Sequence, residues 1–171
     1  MNDPVRELST DRLVLEPLTI DHAVEMVDVL GDVELYEFIG GLPPDLGELS
    51  ERYGAQVAGS RTRDDEWLNW ILRLGRSGPA VGFVQATITG STADVAWVVG
   101  VRWQGMGFAV EAASRMIDWL TDRGVNTFTA HIHPDHKASQ GVARSLSLEN
   151  SGEVDEDGEE IWLLPVMHGE G

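Results

Sequence analysis

Two short stretches of this chain carry residues whose types and spacing suit chemistry. The first is Gln104-Gly105-Met106-Gly107-Phe108-Ala109, which leads from a strand-patterned run into a helix-patterned one. Glycine at 105 and 107 tolerates left-handed dihedrals and leaves the main chain bare, so successive N–H groups can close around an anion. The positive end of the following helix adds to that attraction. The turn is neither a Walker loop nor a Rossmann fingerprint, because no Gly-Lys-Ser/Thr follows and Val110 stands at the third glycine position. An ordinary strand-to-helix turn would use the same residues. The second stretch is His131-Ile132-His133-Pro134-Asp135-His136, whose imidazoles and carboxylate are the side chains that ligate zinc. A plain polar cluster at the end of a strand has the same composition.

The rest of the chain must hold these stretches in place. With 171 residues and 42% hydrophobic content, it can bury a core of its own, and one domain over residues 1–171 is expected. Cysteine is absent, which excludes disulfides, thiolate metal sites and a cysteine nucleophile. No apolar run approaches the roughly 18 residues of a membrane span, and the N-terminus lacks a leader pattern, so a cytoplasmic protein without a membrane partner is expected. A formal net charge of -17 argues against nucleic acid as a partner, since phosphates would be repelled, and favours cationic ones, although acidity that only keeps a small protein soluble gives the same charge.

Periodicity orders the elements. Arg12 to Leu18 reads as a strand, and Ala23, Met26, Val27 and Leu30 recur at helical spacing behind a cap at Thr19 or Asp21. His22 is expected in solvent. A second helix is expected over Leu46 to Val57, then strands over Trp67–Leu74, Ala80–Thr89, Ala93–Val101 and Val125–His131. Between the last two, Ala109, Ala112, Ala113, Met116, Ile117 and Leu120 line one face of a helix that Gly124 ends. Ala138 to Leu148 reads as a short helix, and Asp157-Gly158 as the turn of a final hairpin, with Glu153 to Glu160 a solvated acidic loop.

Gln104-x-x-Gly107-x-Ala109 after a strand resembles the Gln/Arg-x-x-Gly-x-Gly/Ala motif of the GCN5-related N-acetyltransferase (GNAT) superfamily. Arg12-Leu13-Val14-Leu15, Gly82-Phe83, Trp97-Val98-Val99, Val110-Glu111-Ala112 and Pro134 to Leu148 fall where its RimJ/RimL-like branch has recurring patterns. The resemblance spans roughly Ser9 to Leu164 and is weakest between Leu35 and Arg63. It implies an α+β fold: a mixed, mostly antiparallel central sheet with helices on both faces and a splayed strand pair. It also implies an enzyme passing an acyl group, by default from acetyl-CoA, directly to a primary amine, with no metal. The acceptor could be a protein N-terminus, a lysine, a polyamine or an aminoglycoside-like molecule, and the protein a monomer or homodimer.

On residues, the resemblance implies that the backbone of Val99 and Val101 bonds pantetheine like a missing strand. It implies that N–H groups of Gly105, Met106, Gly107, Phe108 and Ala109, in the motif headed by Gln104, hold the pyrophosphate. Ser139 would protonate the departing thiolate; the competing role is a helix cap. Where the family often has Asn to contact pantetheine, this chain has His136, and its usual Leu-Gly-Phe is Leu146-Ser147-Leu148. Trp70 and Trp97 are candidates to wall the acceptor channel. An amine with pKa near about 10 must lose a proton before it attacks, and Glu37, Asp94 and His131 are candidate bases that the sequence does not rank.

Two other readings compete. His131, His133, Asp135 and His136 match the His-x-His-x-Asp-His string of the metallo-β-lactamase superfamily, a metallohydrolase fold that needs more ligands and more chain than are available here; downstream only His168 remains. A CoA-binding regulator without turnover would keep the Gly107 turn and release no thiol.

Overall fold

The computed structural model describes residues 5–59 and 64–165. Eight strands form one sheet: β1 (Leu8–Ser9), β2 (Leu13–Pro17), β3 (Asp65–Leu74), β4 (Ala80–Thr89), β5 (Thr92–Val99), β6 (Thr127–Ile132), β7 (Glu149–Val154) and β8 (Glu160–Pro165). Their order is β1-β2-β3-β4-β5-β6-β8-β7. Every pairing is antiparallel except β5 with β6, which is parallel and limited to Thr92–Asp94 opposite Thr127–Thr129. Beyond that short contact the two strands part. The expected α+β fold with a splayed pair is observed.

The helices are α1 (Ala23–Val29), α2 (Leu46–Ala58), α3 (Phe108–Asp122) and α4 (Lys137–Ser145). Alternation along β3 explains why both sheet faces need cover: Leu68, Trp70 and Leu72 point into one core, Ile71 into the other. On the first face Ala112, Ala113, Met116 and Leu120 of α3 are fully buried. On the second, Ala23 and Met26 of α1 and Leu49 of α2 are equally dry. Each large apolar side chain so buried contributes about 1.5–3 kcal/mol against the unfolded chain.

The helix boundaries follow from caps. Asp45 accepts from the Glu48 N–H at 2.8 Å and its own N–H donates to Glu48 at 3.3 Å, a reciprocal box that starts α2. At the end of α3, Gly124 takes φ 102° while Val125 donates to Leu120 and Gly124 to Thr121, both at 3.0 Å. No helix among the described residues is long and apolar enough to cross a membrane.

Some expectations need correction. Val101 is not on a strand: β5 ends at Val99 and residues 101–103 form a 3-10 turn, because Gly100 already bonds Val81 (2.8 Å) and Trp103 folds back onto the Gly100 carbonyl (2.8 Å). Strand β1 carries too few residues to show a period. His22 is not in solvent. Its ring accepts from the Thr19 N–H at 2.9 Å and meets Glu16 at 3.1 Å, with 12% of the side chain exposed. His168 lies outside the described residues.

Candidate active site

A cavity of about 960 Å³ fills the gap between the splayed strands and continues to the glycine turn. Its edge is set by β5. The Gly100 N–H donates to Val81 of β4 at 2.8 Å, and the Ser91 carbonyl, nine residues back, accepts from Asn126 at 2.8 Å on the opposite side. Alternation then turns the N–H and C=O groups of Val95, Trp97 and Val99 away from β4 and towards the slot. An extended ligand could bond to them as a strand would.

One of those groups is already engaged. The Gln104 side-chain amide donates to the Val99 carbonyl at 3.0 Å. Gln104 thereby ties the turn to the end of β5, a role the motif alone did not reveal. Val101 lines the cavity but, lying past the strand end, does not continue its ladder.

The turn itself has the geometry expected of an anion cradle. Gly105 and Gly107 sit at φ 79° and 81°, the left-handed region that side chains resist. A Cβ on Gly105 would meet nothing within 4 Å, and on Gly107 only a guanidinium nitrogen of Arg12 at 3.4 Å, so the backbone is approachable. Gly107 precedes α3, whose first N–H groups, including those of Phe108 and Ala109, have no partner inside the helix. The Phe108 ring is buried beneath the Arg12 guanidinium, 4.5 Å from its centroid, and Arg12 Nε donates to Glu111 at 2.8 Å. These contacts fix the first turn of α3. Met106 points outward and is half exposed.

Across the slot stands the start of α4. His136, not Ser139, occupies the N-cap position, so the serine is not the helix cap. The Ser139 hydroxyl instead lies 3.3 Å from His136 Nε2, and the imidazole stacks on Phe38 with centroids 4.7 Å apart. Burial, with a smaller push from His133, lowers the His136 pKa, which leaves the ring neutral and able to exchange a hydrogen bond with the serine. Phe38 comes from the segment where the sequence pattern is weakest.

His131 faces the slot from β6. Its Nδ1 is 2.7 Å from Asp155 and its Nε2 is 3.5 Å from Asp94, which accepts from Thr129 at 3.0 Å. Burial works against charge on this ring, but the Asp155 hydrogen bond and the charges of Asp94, Asp155 and Glu159 outweigh it and raise its pKa. The bond from His131 holds the Asp155 carboxyl below the usual range. Asp155 is therefore no solvated loop residue: its side chain is 17% exposed and also accepts from the Asp157 and Glu159 N–H groups. Nothing in the sequence ties positions 131 and 155.

The four residues of the zinc-like string do not converge. His131 turns to Asp155, His133 accepts from the Asp135 N–H at 3.0 Å, and His136 turns to Ser139. Among the described residues, the one group with three ligand atoms within 4.8 Å of one another is Asp155, Asp157 and Glu159, which contains no histidine. Of the two tryptophans, Trp97 lines the cavity, whereas Trp70 is fully buried on the α3 face, donating to the Arg6 carbonyl at 2.9 Å and meeting Trp119 edge-on. Trp70 is a core residue because its position on β3 alternates to the face that α3 covers.

Sequence and fold comparisons agree with this geometry. The model of the acetyltransferase (GNAT) domain matches residues 12–149, so the chain belongs to the GNAT acetyltransferase family and is an acetyltransferase. It is similar to an uncharacterized N-acetyltransferase of Schizosaccharomyces pombe, 24% identical over 160 residues, which cover 89% of this chain and 81% of that protein. Among solved structures, the self-immunity acetyltransferase MccE, crystallised with acetyl-CoA and AMP, matches with a TM-score of 0.77 at 16% identity, over 92% of this chain and 94% of its own. RimL, a ribosomal-protein α-N-acetyltransferase in complex with coenzyme A, gives 0.77 at 14% identity, over 94% and 98%.

Proposed function

We propose that this protein transfers an acetyl group directly from acetyl-CoA to a primary amine, in the manner of the RimL-like branch. The observation that carries the reading is the continuity of one cavity from the Gly105–Gly107 turn, along the unpaired edge of β5, to the point where β5 and β6 meet. The bare N–H groups of residues 105–109 suit a diphosphate, and the backbone of Trp97 and Val99 suits the amides of pantetheine. That both MccE and RimL were solved with a CoA compound supports the same use of the slot.

In this reading the chain's own groups do three things. Backbone amides hold and orient the donor, and a slot-facing N–H further along β5, at Trp97 or Val95, draws charge onto the thioester oxygen as the amine attacks. Ser139, across the slot, hands its proton to the leaving sulfur, and His136 keeps the hydroxyl oriented. Phe38 and Trp97 wall the acceptor side, and the acidity of the chain favours an acceptor that carries positive charge, such as a polyamine, a basic N-terminus, a lysine side chain or an aminoglycoside.

Thermal unfolding in the presence of acetyl-CoA, succinyl-CoA and free CoA tests the donor. At 100 times Kd a ligand adds about 2.7 kcal/mol of stability, a shift easily read. Gly107→Glu places a negative side chain in the anion cradle and is expected to abolish the shift while the protein stays folded. An unchanged shift in that variant would put the donor elsewhere. Thiol release in a panel of spermidine, an alanyl peptide and kanamycin tests transfer, and Ser139→Ala is expected to lower kcat with little change in KM for acetyl-CoA.

A further inference from the structure

We propose that His131 is the general base of the reaction: its Nε2 takes the proton from the incoming amine, and Asp155 fixes the ring for that task through Nδ1. The inference rests on the acyltransferase reading and names a residue that the reading leaves open.

Position is the first argument. Pairing between β5 and β6 stops at Asp94 opposite Thr129, and His131 is two residues further along β6, on the same face as Thr129. It lines the cavity at the closed end of the slot, while the glycine turn lies at the other end. Val99 and Asp94 are five strand steps apart on β5, about 17 Å at strand rise. A donor laid along this edge with its diphosphate at residue 107 therefore carries its thioester towards His131.

Chemistry is the second argument. An imidazole works as a base only if one nitrogen is kept as an acceptor and the ring is held still. The 2.7 Å contact with the Asp155 carboxylate places the proton of the neutral ring on Nδ1 and leaves Nε2, on a residue that lines the cavity, as the acceptor. Asp94, 3.5 Å from Nε2, is too distant for a direct hydrogen bond but close enough to stabilise the imidazolium once formed. Asp94, Asp155 and Glu159 are the charged groups that face this ring, and all three favour its protonated form.

The other candidates fit less well. Glu37 also lines the cavity, but its charge acts on His136, the partner of Ser139. Asp94 does not line the cavity and is engaged by Thr129. Glu159 does line it, and is the rival to be tested.

The proton account closes. An ammonium acceptor gives one proton to Nε2 of His131, which passes it to water. The freed amine attacks the carbonyl carbon; the C–N bond forms and the C–S bond breaks. The second nitrogen proton ends on the sulfur by way of Ser139. Nothing is oxidised or reduced.

The test is the pH dependence of kcat/KM for the fastest panel amine at saturating acetyl-CoA, in the wild type, His131→Gln, Asp155→Asn and Glu159→Gln. The wild type should show an ascending limb in the histidine range. His131→Gln should lose that limb and about 10²-fold or more in kcat, with its acetyl-CoA thermal shift intact. Asp155→Asn removes a charge that raises the ring's pKa, so the limb should move to lower pH, which loss of a merely structural contact would not cause. Glu159→Gln should keep the limb. A limb that survives in His131→Gln, stays in place in Asp155→Asn, or disappears in Glu159→Gln overturns the assignment. A wild-type chain that gains no stability from acetyl-CoA and acetylates none of the amines overturns the acyltransferase reading, whereas normal turnover with an unaltered His131→Gln profile overturns the base alone.

Discussion

Replacing Gln104 by alanine isolates the link between the anion turn and the strand it follows. The wild-type amide donates to the Val99 carbonyl at 3.0 Å, and Val99 is only 8% exposed. A neutral hydrogen bond contributes about 0.5–1.5 kcal/mol net, and stranding a buried carbonyl costs about 1–3 kcal/mol. Water reaching the slot recovers part of that, so about 1–2 kcal/mol is the expected loss. In a chain of this size each kcal/mol corresponds to roughly 2–4 °C in Tm, giving a fall of about 2–8 °C. If CoA must then restore the end of β5 on binding, the same free energy weakens its Kd by roughly 5- to 30-fold. Gln104→Glu keeps the length, removes the donor and adds a negative charge beside the turn, so it should weaken CoA binding more than alanine does. Differential scanning calorimetry and isothermal titration with CoA read both quantities. An alanine variant that melts and binds as the wild type does would show that the amide does not clamp β5, and a glutamate variant with wild-type affinity would remove the diphosphate from the vicinity of the turn.

Three further outcomes concern the frame around the site. Trp70→Ala empties a fully buried position on β3 and should cost about 3–5 kcal/mol in denaturant unfolding, while Trp97→Ala, half-buried against the same core at the slot wall, should cost less and raise KM for the acceptor. Ser147 follows α4 at φ 70°, the left-handed residue of a helix stop in which Leu148 donates to Ala143 at 2.9 Å; Ser147→Gly relieves about 1–2 kcal/mol of strain, offset in part by glycine's unfolded-state entropy, and should raise Tm by roughly 1–4 °C. Burial works to raise the Glu111 pKa, but bonds from Thr10 and Arg12 prevail and lower it. Its stabilisation is therefore present above the unfolded carboxylate pKa of about 4.3 and lost as pH falls through the folded value, so Tm curves of the wild type and Glu111→Gln should be separated at pH 7 and converge towards pH 3.

The amino-acid sequence determined the elements whose evidence is local. Helix α3 was legible because its apolar residues recur every three or four positions and Gly124 supplies the stop, and the Gly105–Gly107 turn because only glycine accepts those dihedrals cheaply. The strand boundary at Val101 was not, since a valine suits both a strand and the first residue of a 3-10 turn, and the decision lay with Gly100 pairing to Val81. The resemblance carried in Gln104, Gly107 and Ala109 led to the family that the match over residues 12–149 establishes.

What only the tertiary structure decided is which side chains meet. The string His131-Ile132-His133-Pro134-Asp135-His136 looks like one cluster, but strand alternation and the start of α4 send its members to three different partners. Trp70 and Trp97 are alike in sequence terms and even share a sheet face, both aligned with Val84; Trp70 on inner β3 is fully covered, whereas Trp97 on β5 borders the slot and is only half-buried. Asp155 joins His131 across 24 residues through a hairpin register, and Phe38 reaches His136 across nearly a hundred. Periodicity reports which way a residue points along its own element; contact between elements depends on register and packing, for which a single sequence carries no local signal.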